Sequence, residues 1–319
     1  LKKKGILILL ICGVYAITSF TNGFTKQQRS IESFVGFKIN DFFPAAHSYL
    51  YSLNTEENFK LVEETKSGVI TRLPWEKDED FQRLLLANGS PSLMAAYQTV
   101  LKDPMPGEEY NVHLAAKMLA GTIIKPNQIF SQNNTVGPYV ESKGFRKGPT
   151  YIGSKLTTTI GGGVCKIAST LYNVSILSNM EIVERHQHSM PVPYVPYGQD
   201  ATVSYGAKDF KFRNINPEPI MIWAQGIDNV LYIAFYGKTS PPIVDWHHEI
   251  LGSIKAPKEY ISNNNLEKGT ERVVLEGMDG VTVRSWITIK SSDGTEIVKK
   301  LGISDYKPMA FIIERGSTK

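Results

Sequence analysis

Cysteine is almost missing from this chain: Cys12 and Cys165 are its two among 319 residues. Cys12 sits inside an apolar run, so the two offer no disulfide between them, and the folded parts must be held by their cores alone. Strong charge of either sign is missing too. Basic residues number 35 against 31 acidic, for a net +4. No basic cluster is interleaved with aromatics, so the electrostatic footprint of a nucleic-acid binder is absent. At 42% hydrophobic and 21% charged residues, the composition excludes extensive disorder and fits a folded chain of about two domains.

What is present begins with LKKKGILILLICGVYAITSF. Three lysines precede an apolar run from Gly5 to Phe20, and no further charge appears until Lys26. Such a run approaches the ~20 residues a helix needs to cross the hydrocarbon core, and lysines ahead of it favour a cytoplasmic start and an exported body. Residues 1–24 are therefore expected to be a single-pass membrane anchor. A cleaved signal peptide, leaving a secreted protein, is the competing reading, although no A-x-A site follows the run. A lipoprotein at Cys12 lacks the small residue that normally precedes a lipidated cysteine.

Residues 25–106 read as a supporting or stalk segment, with a helical pattern over 78–102 broken near Asn88-Gly89-Ser90-Pro91. From Asn111 the spacing predicts a helix ending near Gly121, then loop and short strand with a turn at Gly137-Pro138. Gly161, Gly162 and Gly163 lead into a second helix over 166–179. After Met180 the texture turns β. Prolines at 191, 193 and 196 make the first run an edge strand or extended loop, Asp200 opens the next, and two runs around QGIDN form a hairpin. A boundary falls between Pro241-Pro242 and Pro257. Beyond it, alternating residues with Asp-Gly turns at 279–280 and 293–294 predict a small antiparallel module over 255–319. The fold class is α+β: a mixed domain over 107–240, with an all-β module after it.

The chemistry centres on Cys165. Glycines permit positive φ and close backbone approach, while a helix beginning at the sulfur stabilises a thiolate and any oxyanion formed beside it. A small buried cysteine in a tight turn has the same appearance. A nucleophilic thiol needs a base, and RHQHSM offers His186 and His188, which point to opposite faces of an extended segment. Parity does not choose between them; His188 is favoured because it lies nearer the predicted sheet and is followed by a Ser that can bond locally. Two histidines without a nearby third ligand are a weak zinc signal, and no metal is expected. Asp200 is a candidate to orient the imidazole, although aspartate before a strand is a common turn residue. Arg185 and Arg213 are candidates to grip a substrate carboxylate, and Tyr172 to line the same cleft or to be a core aromatic.

Taken together, IGGGVCKIASTLYN, EIVERHQHSMPVPYVPYGQDATVSYG and FRNINPEPIMIWA resemble the VanW domain, the family named for a protein in vancomycin-resistance clusters. NVHLAAKMLAGTIIKPNQIFSQNNTVGP resembles its N-terminal half. Family members usually carry Gln after the cysteine, where this chain has Lys166. The stretch from about Glu259 to Gly316 is similar to the G-five domain, a β module proposed to bind wall glycan. The resemblance implies a bacterial envelope protein acting on peptidoglycan stem peptides, of the cysteine L,D-transpeptidase type, forming 3-3 cross-links without a cofactor. The other readings are a non-catalytic wall-binding accessory protein associated with glycopeptide resistance, and a cysteine peptidase or amidase of the wall. In the first, Cys165 is the nucleophile, His188 (or His186) the base and Asp200 its orienter. Gly161, Gly162, Gly163, Lys166, Tyr172, Arg185 and Arg213 then face substrate. Residues beyond Pro257 would bind the wall and be dispensable for reaction on soluble stems. The expected partners are stem peptides, glycan and the membrane; nothing in the sequence sets an oligomeric state.

Overall fold

The structure is a computed structural model that describes residues 66–318, apart from 103, 153 and 154. The expected anchor over 1–24 lies outside the described residues. Among those described, no helix is long and apolar enough to cross a membrane.

The elements run β1 (Gly68–Val69), α1 (Glu79–Ala87), β2 (Ser92–Val100), α2 (Glu108–Leu119), β3 (Thr122–Ile124), β4 (Ile129–Ser131), α3 (Gln132–Thr135), β5 (Lys147–Ile152), β6 (Lys155–Ile160) and α4 (Cys165–Leu177). After these come β7 (Glu181–Glu184), β8 (Lys211–Arg213), β9 (Ile220–Ile227) and β10 (Val230–Gly237). The C-terminal strands are β11 (Ile243–Ile254), β12 (Lys258–Glu267), β13 (Glu271–Leu275), β14 (Gly280–Lys290), β15 (Glu296–Tyr306) and β16 (Phe311–Thr318). The architecture is α+β, with an all-β C-terminal part.

An antiparallel sheet of order β1-β2-β10-β9-β3 is the backbone of the first part. Every residue of β10 is buried. Leu231, Ile233 and Phe235 enter the core shared with α2 and α4, while Val230, Tyr232, Ala234 and Tyr236 enter a second core on the opposite face. That is the period of two expected of a strand covered on both sides. Trp75, Phe81 and Leu85 cap the second core, and Asp78 caps α1 by accepting from the N–H groups of Asp80 and Phe81 at 2.8 and 3.0 Å.

Half of the helical reading over 78–102 fails. Residues 79–87 are helix, but SLMAAYQTV is strand β2, hydrogen-bonded on both edges between β1 and β10. Its Leu, Met and Ala favour helix in isolation; burial between two strands overrides that preference. The described part of the segment read as a stalk therefore contributes a central strand.

One further expectation changes. The run 190–197 is the extended loop of the two alternatives, but Asp200 opens no strand, since 199–203 is irregular. Prolines 191, 193 and 196 lack the N–H a ladder requires, and the polar groups of 199–203 turn to side chains and to the carbonyls of Pro196 and His186 instead. Between Pro242 and Pro257 runs β11, which pairs along its length with β14.

The C-terminal strands form two three-stranded sheets, β11-β14-β15 and β12-β16-β13. In the second, β12 and β16 run parallel. The first sheet packs into the larger core through Val244, Trp246, Ile287, Ile289 and Leu301. The ring of Trp246 meets the edge of Tyr172 at 5.3 Å between centroids.

Candidate functional site: a cysteine, histidine and aspartate at one helix start

Helix α4 begins at Cys165, and its sequence explains what lies opposite the sulfur. Cys165, Ser169 and Asn173 recur at four-residue spacing and so share one face. Each meets the irregular segment 199–203. The Cys165 sulfur lies 3.3 Å from Thr202 Oγ1 and 3.7 Å from the Val203 carbonyl. Ser169 Oγ donates to the Ala201 carbonyl at 3.0 Å and accepts from the Ala201 N–H at 2.9 Å. Asn173 Nδ2 donates to the Gln199 carbonyl at 2.8 Å. One helix face thus holds in place the stretch that carries Asp200.

The glycines serve the protein's own packing. A Cβ on Gly162 would stand 2.1 Å from the Gly148 carbonyl oxygen, so this loop lies directly against β5. Gly163 has φ +101, a conformation costly for other residues. Asn111 on α2 clamps the arrangement, donating to the carbonyls of Arg146 and Gly162 at 2.8 and 2.9 Å and accepting from the Arg146 N–H at 2.8 Å. Of the N–H groups around the sulfur, Val164 donates to Gly161 O and Lys166 to Gly163 O. The N–H of Cys165 makes no hydrogen bond to the described residues, which leaves it available to an incoming oxygen.

His188 and His186 separate as parity requires. His186 Nε2 pairs with Glu184 at 3.0 Å. His188 places Nδ1 2.6 Å from Asp200 Oδ2, and its backbone N–H donates to the same oxygen at 2.7 Å. The His188 side chain also interacts with the Cys165 sulfur. Asp200 is almost fully buried; its other oxygen accepts from Arg185 Nη2 at 2.9 Å and from the Tyr306 hydroxyl.

Burial disfavours a charged sulfur, but the hydrogen bond and charge of His188, aided by Thr202 and the backbone of Val203, outweigh it and bring Cys165 from 9.0 down to about 7. Burial likewise disfavours imidazolium, yet Asp200 and Cys165 together raise His188 from 6.5 to about 9. For Asp200, burial is overcome by His188, Arg185 and Tyr306, and its carboxyl stays below the usual range. Between those two values the pair exists as thiolate and imidazolium. The half-buried sulfur is then charged near neutral pH.

The remaining candidates lie elsewhere. Lys166 ion-pairs with Glu108 and lies over the Tyr194 ring at 4.7 Å, with its ammonium turned to that carboxylate. Arg185 is occupied: it donates to Asp200 O, Ser304 Oγ and Asp200 Oδ1 and stacks over Tyr172. Tyr172 is a core aromatic packed on Phe210 and Trp246. Arg213 pairs with Glu181 at 3.0 Å, on β8. Tyr172, Arg185 and His186 border a separate cleft of about 570 Å³, rimmed by Lys208, Lys299 and Lys300, whose lining includes neither Cys165 nor His188. Among the described residues no group of three acidic, His or Cys side chains is placed to hold a metal. Sequence reasoning missed Asn111, Ser169, Thr202 and Tyr306. Only Ser169 carried a signal, its four-residue spacing from the cysteine.

Residues 107–236 match the family described as VanW like protein, and residues 251–318 match the G5 domain. The chain carries a VanW-like domain followed by a G5 domain. The VanW-like domain holds Cys165, His188 and Asp200, and the G5 domain supplies Tyr306 and Ser304. One relative is the uncharacterized protein YoaR of Bacillus subtilis, 36% identical over 152 residues, which are 48% of this chain and 50% of that protein. Another is the vancomycin B-type resistance protein VanW of Enterococcus faecalis, 35% identical over 119 residues, 36% of this chain and 43% of that protein. The chain thus spans about half the length of these curated relatives, or less. The solved G5 domain of an IgA1 protease is 26% identical, covering 26% of this chain and 100% of that one, with a TM-score of 0.16.

Proposed function

We propose that this protein acts at the bacterial cell wall as a cysteine acyltransferase of the L,D-transpeptidase type. The reading is carried by one observation: the Cys165 sulfur sits at a helix start and interacts with His188, whose Nδ1 is engaged by a buried carboxylate. The VanW-like and G5 domains, and the resistance protein among the relatives, support a wall setting and a link to vancomycin resistance.

In this mechanism the thiolate attacks the carbonyl carbon between the third residue and the D-Ala of a donor stem, forming a C–S bond. The oxyanion takes the free N–H of Cys165. The imidazolium of His188 gives its proton to the amide nitrogen as the C–N bond breaks, and D-Ala leaves. An acceptor side-chain amine then attacks the thioester, His188 takes its proton, and the C–S bond breaks to restore the thiolate. Asp200 keeps Nδ1 as the donor nitrogen throughout. A thioester is open to amines yet slow with water, so transfer outruns hydrolysis. The N-terminal apolar run would hold the body at the outer membrane face, and the G5 domain would contact wall glycan.

The test is muropeptide analysis of cells expressing the protein or Cys165→Ala. New 3-3 dimers that vanish with the variant support transfer. Trimmed monomers without dimers would assign the same thiol to hydrolysis. Identical profiles for both proteins would leave a non-catalytic wall protein.

A further inference from the structure

The carboxylate that aims His188 is held from two sides, and one of them belongs to the C-terminal module. Asp200 Oδ2 takes both N–H groups of His188, while Oδ1 takes Arg185 and the Tyr306 hydroxyl. Tyr306 OH also accepts from the Gly198 N–H at 2.9 Å, and Ser304 Oγ receives Arg185 Nη1 at 3.0 Å. Both side chains are buried. Around them, Gln187 Nε2 donates to the Asp305 carbonyl at 2.6 Å and the Lys307 N–H to the Ser189 carbonyl at 2.8 Å. The residues 304–307 therefore touch the chain on both sides of His188, and meet Asp200 itself and Gly198 just before it. A detachable wall-binding unit, as expected from sequence, would place no buried hydroxyl on the carboxylate beside the reactive base.

We propose that Tyr306 and Ser304 are positioning residues for the His188–Asp200 pair, so that the thiol centre is complete only with the G5 domain docked. The inference rests on the reading of Cys165 as a reactive thiol. A carboxylate gripped at Oδ1 by two donors cannot rotate, and its Oδ2 stays aimed at Nδ1. Without the tyrosine hydroxyl, Arg185 alone holds Oδ1 and the Gly198 N–H loses its acceptor. The imidazolium is then less well seated, and the sulfur ionises at higher pH.

The experiment uses the full chain with Cys12→Ser, so that one thiol reports, and follows reaction with dithiodipyridine against pH. Tyr306→Phe should raise the midpoint by about half a unit or more, which halves the thiolate fraction at pH 7, with Ser304→Ala moving it the same way by less. Glu314→Gln, in the β12-β16-β13 sheet away from Asp200, should leave the midpoint in place. A midpoint that stays put in Tyr306→Phe, whatever its melting temperature, overturns the proposal. So does one that falls, the result expected if the hydroxyl merely dilutes the carboxylate's charge. Should Tyr306→Phe fail to fold, Ser304→Ala decides by the same criterion. Failure of the underlying thiol reading looks different: the parent protein itself would titrate near 9, and His188→Asn would not change it.

Discussion

Replacing His188 by Asn gives a prediction with a sign that changes along the pH axis. Asn keeps a donor near the position of Nδ1 for Asp200 but removes the imidazolium, which is the main influence lowering the Cys165 pKa to about 7. What remains is burial, which raises it, against the smaller help of Thr202 and Val203, so the thiol returns to its ordinary 9.0 or above. At pH 7 the thiolate fraction drops from about one half to about one per cent, roughly fiftyfold. A more basic thiolate is intrinsically a better nucleophile. With a Brønsted slope of about 0.4–0.5, two units return roughly six- to tenfold. The variant should therefore react with dithiodipyridine about five- to eightfold more slowly at pH 7, cross the parent near pH 8, and exceed it about six- to tenfold at pH 10. His186→Asn, which alters a ring paired with Glu184, should follow the parent curve. Curves that keep the same midpoint for His188→Asn, or a midpoint shift for His186→Asn instead, would refute the assignment of the base. Measurements are made with Cys12→Ser in every protein.

Two further changes test the scaffold. Gly162→Ala would set a Cβ 2.1 Å from a backbone oxygen of Gly148, and should destabilise by about 2–4 kcal/mol in denaturant unfolding. An unchanged midpoint would mean that β5 and the loop do not pack as described. Ser169→Ala leaves both backbone groups of the fully buried Ala201 without their partner, and should cost about 1–3 kcal/mol by the same measurement. A neutral result would show that 199–203 is held by something other than α4.

Much of the site was legible along the chain because its parts are close in sequence or obey local rules. A glycine run before a helix, and two histidines placed on opposite faces by period two, depend on backbone geometry alone. Roles that depend on distant contact were not legible. Arg185 looked like a substrate group, yet it holds Asp200, and of the two readings open for Tyr172 only its packing on Trp246 chose the core. The glycines looked open to a peptide but are filled by the protein itself: Gly161 by Tyr139, Gly162 by Gly148 and Gly163 by Glu108. The β2 run was misjudged for a related reason: its residues prefer helix, and only the strands on either side decide otherwise.

By itself the sequence determined that one thiol stands at a helix start, that a histidine and an acid follow it, and that an α+β domain precedes a β module. Local conformational preference and hydrophobic period are enough for that. Only the tertiary structure decided which histidine meets the sulfur, how the carboxylate is held, and that a tyrosine 106 positions from Asp200 shares in holding it. Those outcomes follow from burial. A charged group removed from water must find partners wherever the fold brings them, and their separation along the chain is immaterial.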